Sequence, residues 1–331
     1  MSEVKLTVYC LTYNHENYIR QTLESFLGQK TKYKFKVIVH DDASTDNTQR
    51  IIKEYAERYP DIIKPILQTE NQFSKGVDVV KRFVLPNIEG DYIATCEGDD
   101  YWIEESKIDK QVDFLEMHSE YSACVHNSVF YNMKSGEKKP FNSNVTREQD
   151  MHLENVIDGV TWVFHTSSVM YRKKIIFQKY DFLDSMNSVG DYPKAILMAL
   201  NGKIRYFPQQ MSVYRFASTS TSWTSKNTGR FSIQNRISNE ENEVEMLQRL
   251  LDEKPEFEKT VRPAIDRKEF DICVLCGDLK KIYKDKNLRK LYKETAFKKK
   301  INIIGHVVLS RIPELHKMTL KSCLKMTNKS E

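Results

Sequence analysis

Four short runs rich in β-branched and other apolar residues recur through the first hundred residues: Lys5–Leu11 (KLTVYCL), Phe35–His40 (FKVIVH), Ile62–Leu67 (IIKPIL) and Asp91–Cys96 (DYIATC). Helix-like segments separate them. ENYIRQTLESFLGQ repeats Tyr18, Ile19, Leu23, Phe26 and Leu27 at helical spacing and meets a stop signal at Gly28. STDNTQRIIKEYAERYP opens on capping-type residues, carries an amphipathic pattern and ends at Pro60. GVDVVKRFVL reads as a third helix. Strands alternating with helices imply right-handed βαβ units and a mainly parallel sheet.

Beyond the fourth strand, EESKIDKQVDFLEMH reads as a helix and YSACVHNSVFYNM as a strand entering a turn near Ser135 and Gly136. After HTSSVMYRK comes GDYPKAILMALNGKIRYFPQQMSVYRF, a helix stopped by Asn201-Gly202 and then two short strands. From about Arg230 the pattern becomes helical and charged. The expected fold class is therefore α/β, with a helical C-terminal region. The expected division is 1–225 and 226–331.

Charge is unevenly distributed along the chain. Residues from Lys280 onward hold 15 Lys/Arg against 4 Asp/Glu, a local balance of +11, whereas residues 1–279 hold 36 against 42, or −6. Basic tails usually meet anionic surfaces. The N-terminus shows no basic region followed by an apolar one, so no signal peptide is expected. No apolar run approaches the roughly 20 residues that span a bilayer. The six cysteines are scattered in a way that suits a reducing cytosol, and Cys273 and Cys276, though spaced CxxC, lack a second pair and read as ordinary helix residues. No GxGxxG or GxxxxGK[ST] occurs, which argues against a Rossmann dinucleotide site and a P-loop.

In parallel sheets, ligands sit beyond the carboxyl ends of the strands. Three polar clusters fall there: TYNHE after the first strand, DDASTDN after the second and EGDD after the fourth. The last gathers Glu97, Asp99 and Asp100. Like charges so close call for a cation or a proton.

The motifs VYCLTYNHENYI, VIVHDDASTDNT, GDYIATCEGDDYW, HTSSVMYRK and GDYPKAILMALNGKIRYFP…VYR, in this order, resemble the family 2 glycosyltransferases, most closely bacterial members that build surface polysaccharides. The resemblance covers roughly residues 4–220. It implies a GT-A fold, Rossmann-like, with inverting transfer of a hexosyl or N-acetylhexosaminyl group from a UDP-sugar. It also implies a Mn²⁺ or Mg²⁺ cofactor.

By resemblance, the first loop (Thr12, Tyr13, Asn14 and Glu16) and Asp42 hold the nucleotide. Tyr13 would stack on uracil, Thr12 would line the pocket and Asp42 would accept from the base. Alternatively, Tyr13 is a core residue and Asp42 a turn cap, a task open equally to Asp46. Asp99 matches the metal-binding carboxylate of the family's DxD site, with Glu97 and Asp100 contacting ribose, metal waters or donor sugar. Glu97 stands where the family usually has Asp. Gly98 would let the backbone approach the ligand. Lys75 and Arg215 would meet the diphosphate, and His165 the phosphate or the acceptor. The alternatives are a solvated lysine, a salt-bridged surface arginine and a satisfied core histidine. Asp191 matches the catalytic base, and could also cap the helix that follows.

The tail pairs the apolar stretch Ile301–Ile312 with flanking bases and reads as an interfacial segment on anionic lipid, or as a helix packed on the catalytic domain. The expected partners are a UDP-sugar, a saccharide or lipid-linked saccharide acceptor and an anionic membrane surface. A homo-oligomer stays open and nucleic acid is not expected. The location is cytoplasmic, peripheral on the inner face of the membrane. A non-catalytic nucleotide-sugar-binding protein is the alternative. A sugar-nucleotide pyrophosphorylase would want a Gly-rich loop after strand one, and TYNHENYI has no glycine.

Overall fold

The structure, a computed structural model, describes residues 3–157, 164–183, 190–217 and 230–295. These fall into two compact units. The first holds the described residues up to Tyr180 together with 190–217; the second holds 181–183 and 230–295.

The first unit is built in chain order from β1 (Leu6–Thr12), α1 (Ile19–Leu27), β2 (Phe35–Asp41), α2 (Thr48–Arg58), β3 (Ile63–Leu67), β4 (Tyr92–Thr95), β5 (Tyr101–Trp102) and α3 (Lys107–Met117). It continues with β6 (Tyr121–Asn132), β7 (Lys138–Pro140), β8 (Gln149–Met151), α4 (Leu153–Ile157), β9 (Met170–Arg172), α5 (Asp191–Leu200) and β10 (Lys203–Phe216). Among the described residues the strands form one sheet in the order β3-β2-β1-β4-β9-β6-β10-β5, with β7 on β6 and β8 on β10. The β3-β2-β1-β4 half is parallel, as is the long β6–β10 ladder. Strand β9 runs antiparallel between β4 and β6. The sheet is therefore mixed, with most of its paired length parallel.

Burial explains the apolar runs. Leu6, Val8 and Cys10 of β1 and Val37 and Val39 of β2 pack with Ile19, Leu23 and Phe26 of α1 and Ile52 of α2 in one core. Strand β1 is buried along nearly its whole length, which is why its sequence shows no apolar–polar alternation.

Two expectations need correction. The segment read as a helix at 76–85 is a π-helical turn, Val80–Val84, running into a 3-10 turn, Leu85–Asn87. Pro86 supplies no N–H and several valines resist a regular helix, so it never becomes α-helical. The two strands expected after Gly202 are one strand, β10, whose register on β6 shifts between Phe207 and Gln210. Pro208 lies in that interval, where the interrupted ladder asks for no N–H.

The second unit contains α6 (Arg230–Glu253), α7 (Glu258–Cys276), α8 (Leu279–Lys284) and α9 (Lys286–Glu294). Met246, Leu247, Leu250, Val261, Ile265, Phe270 and Ile282 are buried in it. Asp278 and Asp285 cap the last two helices through Lys281 N–H (3.0 Å) and through Asn287 and Leu288 N–H (2.8 and 2.9 Å). Cys273 and Cys276 are free thiols at the end of α7, one buried and one exposed. No described helix is long and apolar enough to cross a membrane. The interfacial reading of Ile301–Ile312 falls outside the described residues.

Candidate active site

Strands β1 and β2 end side by side, Thr12 opposite Asp41, and the loops that follow them are laced together. Asn14 sits at φ 56°, and its N–H donates to Ser44 Oγ (2.8 Å) while its Oδ1 accepts from Thr45 N–H (2.8 Å). Glu16 accepts from the backbone and side-chain amides of Asn47 (3.0 and 2.8 Å), and its own N–H donates to Asp46. Asn14 and Glu16 thus hold one loop to the other. Asp46 also accepts from Thr48 N–H (2.9 Å) at the start of α2.

The Asp42 carboxylate accepts from Gln72 N–H (2.8 Å) and Phe73 N–H (3.0 Å), so it fastens the segment after β3 to the end of β2. A carboxylate has about four lone-pair directions, which leaves two for a ligand. Thr12 is buried and Tyr13 half-buried beside it. Lys75 lies on the exposed turn Phe73–Lys75, paired with Glu70.

The acidic loop runs along the end of β1. Cys96 N–H donates to Tyr9 O (3.2 Å) and Gly98 N–H to Leu11 O (2.8 Å). A Cβ on Gly98 would stand 2.6 Å from Thr12 Cβ and Oγ1 and 2.9 Å from His15 Nδ1. The close approach this glycine permits is to β1 and its loop.

Asp99, 8% exposed, has Oδ2 3.8 Å from His15 Nε2. Burial pushes the His15 pKa down against the pull of Asp99, so the ring next to that carboxylate is neutral. Asp100 is fully buried and points inward: Oδ1 accepts from Arg215 N–H (2.9 Å), and Oδ2 lies 3.4 Å from His165 Nδ1. It has no surface to offer donor or metal, a correction to the contact expected of it. Its pKa is raised, by burial first and then by Asp99 and Glu97.

Arg215 supplies a second correction. It is 6% exposed, its guanidinium donates to Asp99 O and Gln21 Oε1, and its Cζ lies 4.4 Å and 5.0 Å from the Tyr101 and Tyr18 ring centroids. Neither a phosphate clamp nor a surface arginine, it locks β10 to α1 and the acidic loop.

Behind that loop, Trp102 Nε1 donates to Ser167 O (3.0 Å), and the buried Lys107 lies with Nζ 4.1 Å from the Trp102 ring centroid and 2.6 Å from Gln111 Oε1. Burial pulls the Lys107 pKa down to about 7.

Asp191 opens α5, with Gly190 before it. It is the first helical residue, one place past the cap position expected of it. Its side chain is 60% exposed; Oδ2 accepts from Thr166 Oγ1 (2.8 Å) and Oδ1 lies 3.6 Å from Lys194 Nζ. His165, just before Thr166, stacks on Tyr214 (centroids 4.0 Å, planes 20° apart) and contacts Ser167 Oγ (2.9 Å). Burial pushes its pKa down, so it brings no positive charge.

Glu97 is exposed to solvent. Its pKa is raised first by the mass of surrounding protein, then by Asp99 and Asp191, with Lys194 opposing; its contact with solvent tempers the first effect. Glu97, Asp99 and Asp191 are thus brought into one field. His15 and Lys194 were missed from sequence, although His15 lies between Asn14 and Glu16 and Lys194 stands three residues past Asp191.

The sequence signature of glycosyl transferase family 2 matches residues 7–177. The chain belongs to this family. The uncharacterized protein Rv1520 of Mycobacterium tuberculosis is 36% identical over 211 residues, 63% of this chain and 58% of that protein. The dTDP-rhamnosyl transferase RfbG of Shigella flexneri is 31% identical over 170 residues, 50% of this chain and 56% of RfbG. The chain thus matches less than two thirds of the length of these relatives. The solved structure of S. aureus TarS in complex with UDP is similar with a TM-score of 0.55 at 17% identity, covering 94% of this chain and 82% of that chain. The fold of this glycosyl transferase family 2 member is GT-A, with a helical C-terminal region.

Proposed function

We propose that this chain is an inverting glycosyltransferase that moves a sugar from a UDP-sugar to a saccharide acceptor in bacterial polysaccharide assembly, with Asp191 as general base. The observation that carries the reading is the placing of an open carboxylate at the head of α5 in the same electrostatic field as Glu97 and Asp99 at the end of β4. In the transfer, an acceptor hydroxyl attacks the anomeric carbon as the bond from that carbon to the diphosphate oxygen breaks. The proton passes to the Asp191 carboxylate, and the electron pair leaves with UDP. Thr166 keeps one Asp191 oxygen oriented while the exposed edge meets the acceptor.

The donor set fits a hard divalent cation: carboxylate oxygens, with Glu97 raised by burial first and then by repulsion from Asp99 and Asp191. Among the described residues no three His, Cys, Asp or Glu side chains form a ready-made cage. Asp99 would hold Mn²⁺ or Mg²⁺, with ligand oxygens completing its shell. When bound, the ion would neutralise charge on the departing diphosphate. Tyr13, Thr12 and the remaining acceptor capacity of Asp42 suit a pyrimidine. UDP in TarS and the dTDP in the name of RfbG, both pyrimidine nucleotides, support that choice. Residues 1–225 would form the nucleotide-sugar-binding and catalytic domain. The basic region 226–331 would serve an acceptor that is lipid-linked, at the inner face of the cell membrane.

The test is UDP release from UDP-glucose, UDP-galactose and UDP-N-acetylglucosamine with Mn²⁺ or Mg²⁺. Asp191→Asn should slow turnover about 10²- to 10⁴-fold while UDP binding holds. An unimpaired rate rejects the base assignment. UDP binding with no turnover of any donor by the unaltered chain favours the non-catalytic alternative.

A further inference from the structure

Lys194 is one helical turn from Asp191, and an i, i+3 spacing puts the two on one face of α5. Most such pairs are solvated and hold little in place. This one differs in how the lysine is anchored. Its side chain is only 12% exposed while that of Asp191 is 60% exposed. Its Nζ donates to Tyr9 Oη (3.1 Å), and Tyr9 is a buried residue of β1. The ammonium is therefore tied to the central sheet, and the carboxylate to the ammonium. The second Asp191 oxygen has its own anchor in Thr166 Oγ1. That turn is in turn held by Thr95 of β4, whose Oγ1 donates to Thr166 O (2.6 Å). The same ammonium opposes the charges that Asp99 and Asp191 impose on Glu97.

A general base must stay within hydrogen-bond reach of the hydroxyl it deprotonates. A carboxylate on the first residue of a helix, mostly in solvent, would otherwise sample several rotamers, and a misplacement of about 1 Å can lower a rate about 10²-fold. We propose that Lys194 is a positioning residue: anchored through Tyr9, it fixes the Asp191 carboxylate toward the acceptor. The inference rests on the reading of Asp191 as the base. It adds a residue that serves the reaction by orienting Asp191.

The test uses the full chain and whichever of UDP-glucose, UDP-galactose and UDP-N-acetylglucosamine it turns over fastest, with UDP binding followed by calorimetry. Lys194→Met should lower kcat about 10- to 100-fold while KM and UDP affinity stay within about 2-fold. Lys194→Arg should recover most of the loss, since a cation again faces both Tyr9 and Asp191. In an Asp191→Asn background, Lys194→Met should change nothing further, because the carboxylate it positions is gone. If Lys194→Met slows the Asp191→Asn enzyme as much as it slows the unaltered one, or acts on KM alone, Lys194 works elsewhere and the inference falls while the base assignment stands. If Asp191→Asn is fully active, the base assignment itself fails and takes this inference with it. Lys194→Gln, which keeps a donor for Tyr9, is the second variant should the methionine lower the melting temperature. Full activity in the glutamine variant would also overturn the inference.

Discussion

Replacing Gly98 with alanine asks whether the acidic loop is really seated on β1. The added methyl carbon would stand 2.6 Å from two Thr12 atoms and 2.9 Å from His15 Nδ1, where carbon atoms prefer about 3.5–4.0 Å. Neither side can yield easily. Thr12 is β-branched, buried and within 3.2 Å of His15 Nδ1 through Oγ1. The Gly98 backbone is fixed by its N–H to Leu11 O (2.8 Å) and by Thr22 Oγ1 donating to Gly98 O (3.0 Å). Overpacking of this kind costs about 1–3 kcal/mol, and a three-atom clash belongs near the upper end. At roughly 2–4 °C per kcal/mol for a unit of this size, the melting temperature should fall about 6–12 °C. Calorimetric melting of the full chain measures it. Because the loop must shift, UDP affinity in Mn²⁺ should fall as well. Thr12→Gly added to Gly98→Ala should restore part of the loss, giving a combined destabilisation smaller than the sum of the two singles. A melting temperature unchanged to about 1 °C would refute the packing argument.

Asp99→Ala should abolish the part of UDP affinity that depends on Mn²⁺; calorimetry showing equal binding with and without the ion would contradict the metal assignment. Arg215→Ala should destabilise the fold by about 2–4 kcal/mol, by leaving Asp99 O without its donor and emptying the space between Tyr18 and Tyr101. The opposite pattern in Arg215→Ala, lost UDP affinity with unchanged melting, would mean that the arginine meets phosphate after all. Lys107 has a folded pKa of about 7 against 10.5 for an ordinary lysine. Between those values the unfolded chain binds more protons, so stability rises with pH across that window, by at most about 1.4 kcal/mol per unit. Lys107→Met should therefore be more stable than the unaltered chain near pH 7, with the difference closing toward pH 10.5. Identical pH slopes for the two proteins in denaturant titrations would rule this out.

The parts of the site that were legible in the chain are those whose cause is local. The acids at 97–100 follow an apolar run, and a strand end is where a parallel sheet presents its ligands. Asp191 followed by Tyr-Pro marks a helix start. What stayed hidden depended on distant partners. Arg215 meets the acidic loop and α1 across 116 and 194 positions of chain. Lys194 reaches Tyr9 across 185. Asp99 and Asp100 are neighbours of identical type, yet one borders His15 and the other is sealed under Arg215 and His165. The resemblance gave both a place at the donor, and only the fold showed that Asp100 is buried away from it.

The sequence by itself determined the alternation of strands and helices, the strand ends at which polar residues gather and the family to which those clusters belong. The alternation and the strand ends follow from periodicity and spacing, which are properties of a few consecutive residues; the family follows from the resemblance of five motifs in order. Only the tertiary structure decided which charges face solvent and which are consumed inside. A side chain's charge is stabilised or suppressed by whatever the fold brings within a few ångströms of it, and for Asp100, Arg215 and Lys194 those neighbours come from segments far away in the chain.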